Sequence, residues 1–377
     1  MILDYIKKID YVILLSILPI IIFGLLSIYP LSDENLAIDY FFKQSIFIVL
    51  GLSFFIILSF LDYRFLRNSY LVFSFYIFSV SLLILVLIFG TEINGSRAWF
   101  NFGFISFQPA DLMKLSLIIL LSKYFSKRHI EIAYFKHILI SFCYMFLPFV
   151  LIMKQPDLGS AVVIFFIWLG MIFTFGLSKK HLLILFGLGF VSLFFLWNFY
   201  FKTYQKLRII SFINPNYDIR GSGWNVYQAT IAAGSGGLLG KGFGYGTQGR
   251  FNFLPAHESD FIFATFLEEW GFVGGIIIFI LILILIFHLS RYSLKAESNF
   301  ESLFILGICI YFILHFVINI GMNIGLLPVT GIPLPFMSYG GSHILIECIS
   351  LGICGGMSRY SKVAHLSRLK NEFLGLE

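Results

Sequence analysis

Long apolar runs separated by short polar clusters recur from one end of the chain to the other. Each spans roughly 17 to 25 residues, long enough to cross a bilayer core of about 30 Å as a helix. They cover Tyr11 to Tyr29, Ser45 to Leu61, Tyr70 to Gly90, Pro109 to Phe125, His137 to Met153, Leu158 to Leu177, His181 to Tyr200, Phe261 to Phe287, Leu303 to Gly325 and Ser342 to Met357. The pattern predicts an all-α integral membrane protein of about ten transmembrane helices. The first run has no small-residue cleavage site behind it, and "IYPLSDEN" reads as a loop, so it is expected to stay as a span.

Three connections depart from the short polar links between the other runs. One covers Thr91 to Gln108. A second, residues 201–260, is a large extracytoplasmic loop between the seventh and eighth spans, too rich in Trp, Tyr, Ile and Gly to be disordered. It is expected to fold back onto the membrane surface and carry the chemistry. The third, "NIGLLPVTGIPLPFMSYGGS" from Asn323 to Ser342, sets Gly and Pro between two spans, an irregularity tolerated only where protein or a water-filled cavity covers it. No linker divides the chain, so residues 1–377 read as a single polytopic membrane domain.

Composition agrees: 59% of residues are hydrophobic and 12% charged, where a soluble domain carries about 25% charge. The net charge of +6 is read as membrane orientation and not as nucleic-acid binding. Most Lys and Arg fall on the side that holds both termini, which is therefore the cytoplasm. Lys43, Arg97, Lys114, Lys154, Lys202, Lys206, Arg208, Arg220, Lys241 and Arg250 fall on or near the outer face, where a clustered anionic ligand would explain them better than the orientation rule does. The four cysteines all lie in apolar runs without a C-x-x-C pair, and the histidines show no H-x-x-x-H pair, so neither a disulfide framework nor a zinc site is indicated.

The glycine cluster "GSGGLLGKGFGYGTQGR" fails the P-loop spacing, because Ser235 stands five places before Gly240 and Gly242 follows Lys241. It remains a backbone built for close approach, rich in amide donors, with Lys241 and Arg250 attached, and it suits an anionic headgroup. Lys114 lies on the same helical face as Asp111, three residues away; the two form either a local ion pair or part of a functional site inside the membrane. Asp157 and Asp260 each directly precede a predicted helix. Either could serve as a cap that accepts backbone amides, and for Asp260 a cap would lower the pKa while desolvation would raise it. Glu268, Glu269 and Glu347 lie inside spans and each needs a partner or a polar cavity.

Six motifs in order, "GSRAWF", "FQPADLMK", "KQPDLGSA", "GSGGLLGKGFGYGTQ", "FLPAHESDFIFATFLEEWG" and "GIPLPFMSYGGS", resemble the SEDS family of peptidoglycan glycosyltransferases over nearly the whole chain. The forms "GSGG", "GKG" and "GTQ" look like its elongation branch, RodA, more than its division branch, FtsW. The resemblance implies that Asp260 is the catalytic acidic residue and that Arg97, Lys114, Asp157, Lys241, Gln248, Arg250 and Ser259 line the substrate cavity. Two departures stand out: Glu258 and Ser259 precede Asp260 where the family commonly has His and Thr, and "QPAD" replaces "QPSE". The first places a like charge beside Asp260, which raises a carboxyl pKa.

On this resemblance the chain is expected to polymerise lipid II onto a nascent glycan strand at the outer face of the bacterial cytoplasmic membrane. Asp260 acts as general base and cations stabilise the departing pyrophosphate. A class B penicillin-binding protein and the rest of the elongation machinery are the implied partners. The resemblance implies no definite cofactor and leaves a divalent cation, Mg or Mn, open. The competing expectation is a flippase for the same lipid-linked precursor, which would explain the cavity and the broken Pro/Gly segment without a base. A scaffold that only recruits the transpeptidase is a third.

Overall fold

The computed structural model describes residues 10–29, 34–93, 95–103, 105–127, 135–174, 183, 187, 189, 194, 196–218 and 221–374. Its helices are α1 (Tyr11–Ile28), α2 (Glu34–Phe60), α3 (Ser69–Phe89), α4 (Pro109–Ser126), α5 (Phe135–Lys154), α6 (Leu158–Phe173), α7 (Thr203–Ile213), α8 (Ser222–Ser235), α9 (Ile262–Leu294), α10 (Asn299–Asn323) and α11 (Gly341–Leu374). Among the described residues seven helices are long and apolar enough to cross a membrane: α1, α2 from Tyr40, α3, α5 from Lys136, α9, α10, and α11 as far as Arg359. α4 is almost wholly buried and carries Asp111 and Lys114; α6 is shorter. The apolar run from His181 to Tyr200 lies largely outside the described residues.

Local chemistry sets several boundaries. Asp10 accepts amides from Val12 and Ile13 at the start of α1, Asn68 accepts from Tyr70 at the start of α3, and Pro109 occupies the first turn of α4, where its missing N–H costs nothing. The seven long apolar helices carry few charged residues on any side. Side chains such as Leu15 and Phe287, 68% and 64% exposed, point outward while a continuous core of Ile, Leu and Phe fills the interior. A helix without a polar face is suited to lipid. Within the bundle α11 lies along α2, α9 against α1 and α10, and α4 against α3 and α10.

The expectation of a purely helical chain needs one correction. Residues 91–107 form a small antiparallel sheet, β1 (Thr91–Ile93), β2 (Ser96–Asn101) and β3 (Ser106–Phe107) in that order, with Thr91 opposite Trp99 and Phe100 opposite Phe107. Gly95, at φ 79°, takes the left-handed conformation that a tight hairpin requires. The described residues between 201 and 260 include α7 and α8. Val226, Ala229 and Ala232 of α8 pack with Leu254, Phe261, Ala264, Met322 and Val329 into a second core over the ends of α9 and α10.

α9 is broken at Gly271, where φ is 66°. A break within a span leaves main-chain groups without helical partners, each expensive in lipid. The glycine cluster supplies the partners. Lys241 and Gly242 donate their amides to the carbonyls of Glu268 and Glu269 at 2.9 and 3.0 Å, and Phe272 and Val273 donate to Gly237 and Leu238 at 2.9 and 3.1 Å. Such contact excludes side chains. A methyl at Gly236 would sit 2.0 Å from the Leu267 carbonyl, and one at Gly240 would sit 2.1 Å from that of Glu269.

Candidate active site

Asp260 ends the turn that leads into α9. The turn closes through the Ala256 carbonyl, which accepts from Ser259 and Phe261 at 3.2 and 3.1 Å, and Ala256 itself is held at φ 50°. Three successive carbonyls of this segment are then fixed from outside. Tyr339 N donates to Glu258 O at 2.9 Å, Ser338 Oγ to Ser259 O at 2.6 Å, and the Nδ2 groups of Asn319 and Asn323 both to Asp260 O at 3.0 Å. Ala264 N finds its acceptor in Asn323 Oδ1 at 2.9 Å. The N-cap of α9 is Phe261, which has no side-chain cap bond, so the Asp260 carboxyl is not spent on the helix.

Asp260 is a half-buried residue, and the pKa of its carboxyl is raised to about 6. Withdrawal from water is the largest cause, and the charges of Glu258 and Asp157 act in the same direction. Arg208, on α7, and the Ser259 hydroxyl oppose it by favouring the carboxylate. Of the two opposing effects left open by the sequence, desolvation prevails. A group of this pKa holds a proton weakly enough to release it and strongly enough to take it at neutral pH, the requirement for a general base.

The remaining residues expected at the site separate into two sets. Ser259 and Asp157 belong to the surroundings of Asp260. Asp157 also caps α6, accepting from Ser160 N at 3.0 Å, and accepts from Gln108 Nε2 at 3.0 Å. A methyl at Gly159, two residues on, would sit 2.5 Å from the Thr330 carbonyl, and one at Gly331 would sit 3.4 Å from Asp260 Oδ2, so the Pro/Gly segment separates the two aspartates by little more than its own backbone. Arg97, on β2, faces water with half its side chain and comes within 3.9 Å of Glu92. Arg250 is exposed and donates to the Gly244 carbonyl. A cavity of about 280 Å³ beside Pro156 is lined by Lys154, Lys202 and Gln205.

Lys114 and Lys241 are held in ion pairs elsewhere, and Gln248 gives its main-chain amide to Glu268. Lys114 Nζ is 3.0 Å from Asp111 Oδ1, with both side chains 2% exposed. Lys241 Nζ lies 2.5 Å from Glu268 Oε1, and the same carboxylate accepts the amides of Thr247 and Gln248 at 2.9 and 3.0 Å. Gly244 N donates to Glu269. The amide donors that made the glycine cluster resemble an anion cradle are thus directed at α9. Arg208, Asn319 and Asn323 join Asp260 without having been singled out for the site. The two asparagines, four residues apart in an otherwise apolar run, are the sequence signal that could have found them. Among the described residues no group of three or more His, Cys, Asp or Glu could hold a metal ion.

A family model described as "Cell cycle protein", that of FtsW, RodA and SpoVE, matches residues 8–363. The chain belongs to the FtsW, RodA and SpoVE family. Members of the family similar to it include the peptidoglycan glycosyltransferase MrdB of Escherichia coli K12, 32% identical over 76% of this chain and 78% of the relative. The stage V sporulation protein E of Bacillus subtilis is 38% identical over 74% of this chain and 77% of the relative. Two solved family folds superpose closely. One comes from a peptidoglycan synthase complex described as coordinating polymerization and crosslinking, at TM-score 0.79 and 30% identity over 94% of this chain and 98% of that one. The other is the rod shape-determining protein RodA of Thermus thermophilus, at TM-score 0.69 and 29% identity over 93% and 97%.

Proposed function

We propose that this protein is a peptidoglycan glycosyltransferase that polymerises lipid II into glycan strands during cell elongation, with Asp260 as its general base. The single observation that carries the reading is the Asp260 carboxyl itself: relieved of helix capping by Asn323, fixed through three neighbouring carbonyls, and set with a pKa of about 6 beside Arg208. The acceptor sugar hydroxyl gives its proton to Asp260 as its oxygen bonds to the anomeric carbon of the donor. The bond from that carbon to the lipid pyrophosphate breaks, and the pyrophosphate leaves with the electron pair. Positioned proton transfer of this kind contributes about 10² to 10⁴ in rate.

Pyrophosphate leaves readily and needs no acid partner, unlike the alkoxide released by a glycosidase. Arg208 beside the base and the water-facing Arg97 and Arg250 are the cations this reading gives to its developing charge. Lys114 and Lys241 act through their ion pairs, as supports. The mechanism assigns no step to a metal.

The same reading gives the chain ten spans in the bacterial cytoplasmic membrane, both termini in the cytoplasm and Asp260 at the outer face. A crosslinking partner, a class B penicillin-binding protein, would dock on α9 and α10, whose Phe279, Phe287 and Val317 face outward. Resemblance to a synthase that couples polymerization to crosslinking supports that choice. The test is polymerisation of labelled lipid II by the purified chain with its transpeptidase. Asp260→Asn is expected to abolish glycan chains while leaving folding and partner binding intact; undiminished polymerisation would remove Asp260 from the chemistry.

A further inference from the structure

A buried ionic cluster joins α4 to α11, and the mechanism above uses only its Lys114–Asp111 pair, as a support. Asp111, on α4, is shared by Lys114 at 3.0 Å and by His343 Nδ1 at 3.5 Å. The other ring nitrogen of His343, at the start of α11, is 2.9 Å from Glu347 Oε1, one turn further along. All four side chains are buried, and ionisable groups at such depth are costly enough to require an explanation. Holding helices together is the simplest one.

The second oxygen of Glu347 points to another. Glu347 Oε2 accepts the amide of Phe336 at 2.9 Å. Phe336 is a fully buried aromatic residue at φ 61°, a conformation unfavourable for a non-glycine residue that persists only where its surroundings enforce it. Two and three residues later, Ser338 and Tyr339 make the bonds that fix the Ser259 and Glu258 carbonyls. A continuous set of contacts therefore runs from the buried cluster, through one strained residue, to the backbone of Asp260.

We propose that Glu347, oriented by His343, is a positioning residue for the glycosyl transfer: it pins Phe336 so that Ser338 and Tyr339 hold the segment carrying Asp260. The inference rests on the assignment of Asp260 as base, and it gives a purpose to a charge placed inside a span. Glu347 touches neither sugar nor pyrophosphate. Its removal affects the step in which the base is used and leaves lipid II binding alone.

The experiment compares Glu347→Leu, Glu347→Gln and His343→Gln with the native full-length chain in detergent or liposomes, together with its transpeptidase, recording kcat, KM for lipid II and the pH–rate profile. Glu347→Leu is expected to lower kcat by about 10- to 100-fold, the scale of a displaced catalytic group, with KM nearly unchanged. The acid limb of its profile moves to lower pH as Asp260 gains access to water. Glu347→Gln retains an acceptor for the Phe336 amide and should recover most of the rate; His343→Gln should fall between. Should the Leu variant not fold, His343→Gln carries the test: a lowered kcat with a displaced acid limb supports the proposal, and a native kcat and acid limb in that variant overturns it. Equal losses in Glu347→Gln and Glu347→Leu, or a native kcat and limb in any folded variant lacking the Phe336 acceptor, would overturn the proposal. Failure of the Asp260 assignment is read separately, from a fully active Asp260→Asn.

Discussion

Asn323 reaches from the end of α10 to both sides of the α9 entry, donating to the Asp260 carbonyl at 3.0 Å and accepting from Ala264 N at 2.9 Å. A helix start normally takes its cap from its own chain. Here a neighbouring helix provides it, and the nearby carboxylate is left for other work. Removing the cap in Asn323→Ala is expected to cost about 1 to 2 kcal/mol of stability and to lower turnover. Asn323→Asp keeps the acceptor but turns a buried carboxyl oxygen toward the Asp260 and Asn319 carbonyls, so it should lose both stability and turnover. Thermal unfolding and glycan synthesis measured on the same preparations check both.

Polymerisation should depend on pH with an acid limb near the Asp260 pKa of about 6. The sign comes from the role. A base acts as the carboxylate, so activity is full above that pH and is lost as pH falls through it. Glu258 raises the pKa and Arg208 lowers it, so Glu258→Gln should move the limb to lower pH and Arg208→Gln to higher pH. Initial rates between about pH 4.5 and 8 distinguish these shifts.

The glycines of residues 234–249 are not equivalent. At Gly240, φ 82° and contact with the Glu269 carbonyl together forbid a side chain, so Gly240→Ala should greatly reduce the amount of folded protein in the membrane. Gly234, in α8, faces open space, and Gly234→Ala should be neutral or stabilising by about 0.5 to 1 kcal/mol. Fluorescence-detected size exclusion of the two variants decides this. Equal behaviour would contradict the clamp on α9.

Lys241 offers a direct contrast between support and substrate contact. Lys241→Met leaves Glu268 buried without its ammonium partner and should destabilise the loop. The double variant Lys241→Met with Glu268→Gln removes both charges and is expected to regain stability and much of the activity. A stable double variant without activity would instead assign Lys241 to the pyrophosphate.

The transmembrane pattern was legible because lipid imposes length and hydropathy on each span separately, and the Asp111–Lys114 pair because three residues is a helical neighbourhood. Asp157 as a cap was equally local. The purpose of the glycine cluster was not, since its amides meet carbonyls about thirty residues further along the chain, at a break that an uninterrupted apolar run conceals. Asn319 and Asn323 stand out in the sequence as polar residues in an apolar run, but the groups they hold, the Asp260 and Ile332 carbonyls and the Ala264 amide, are main-chain groups that leave no mark in it. The sheet had its marker in the Asn-Gly pair before Ser96, overshadowed by the helical signals on either side.

The break at Gly271 divides α9 into two rods joined by a hinge, and the hinge is stitched to residues 237–242 in both directions. A rod so fastened cannot bend alone. Any tilt of the piece from Phe272 to Leu294 drags those residues with it and pulls on the Lys241–Glu268 bridge, so a force applied along that rod arrives, without a change of secondary structure, at the glycine-rich loop.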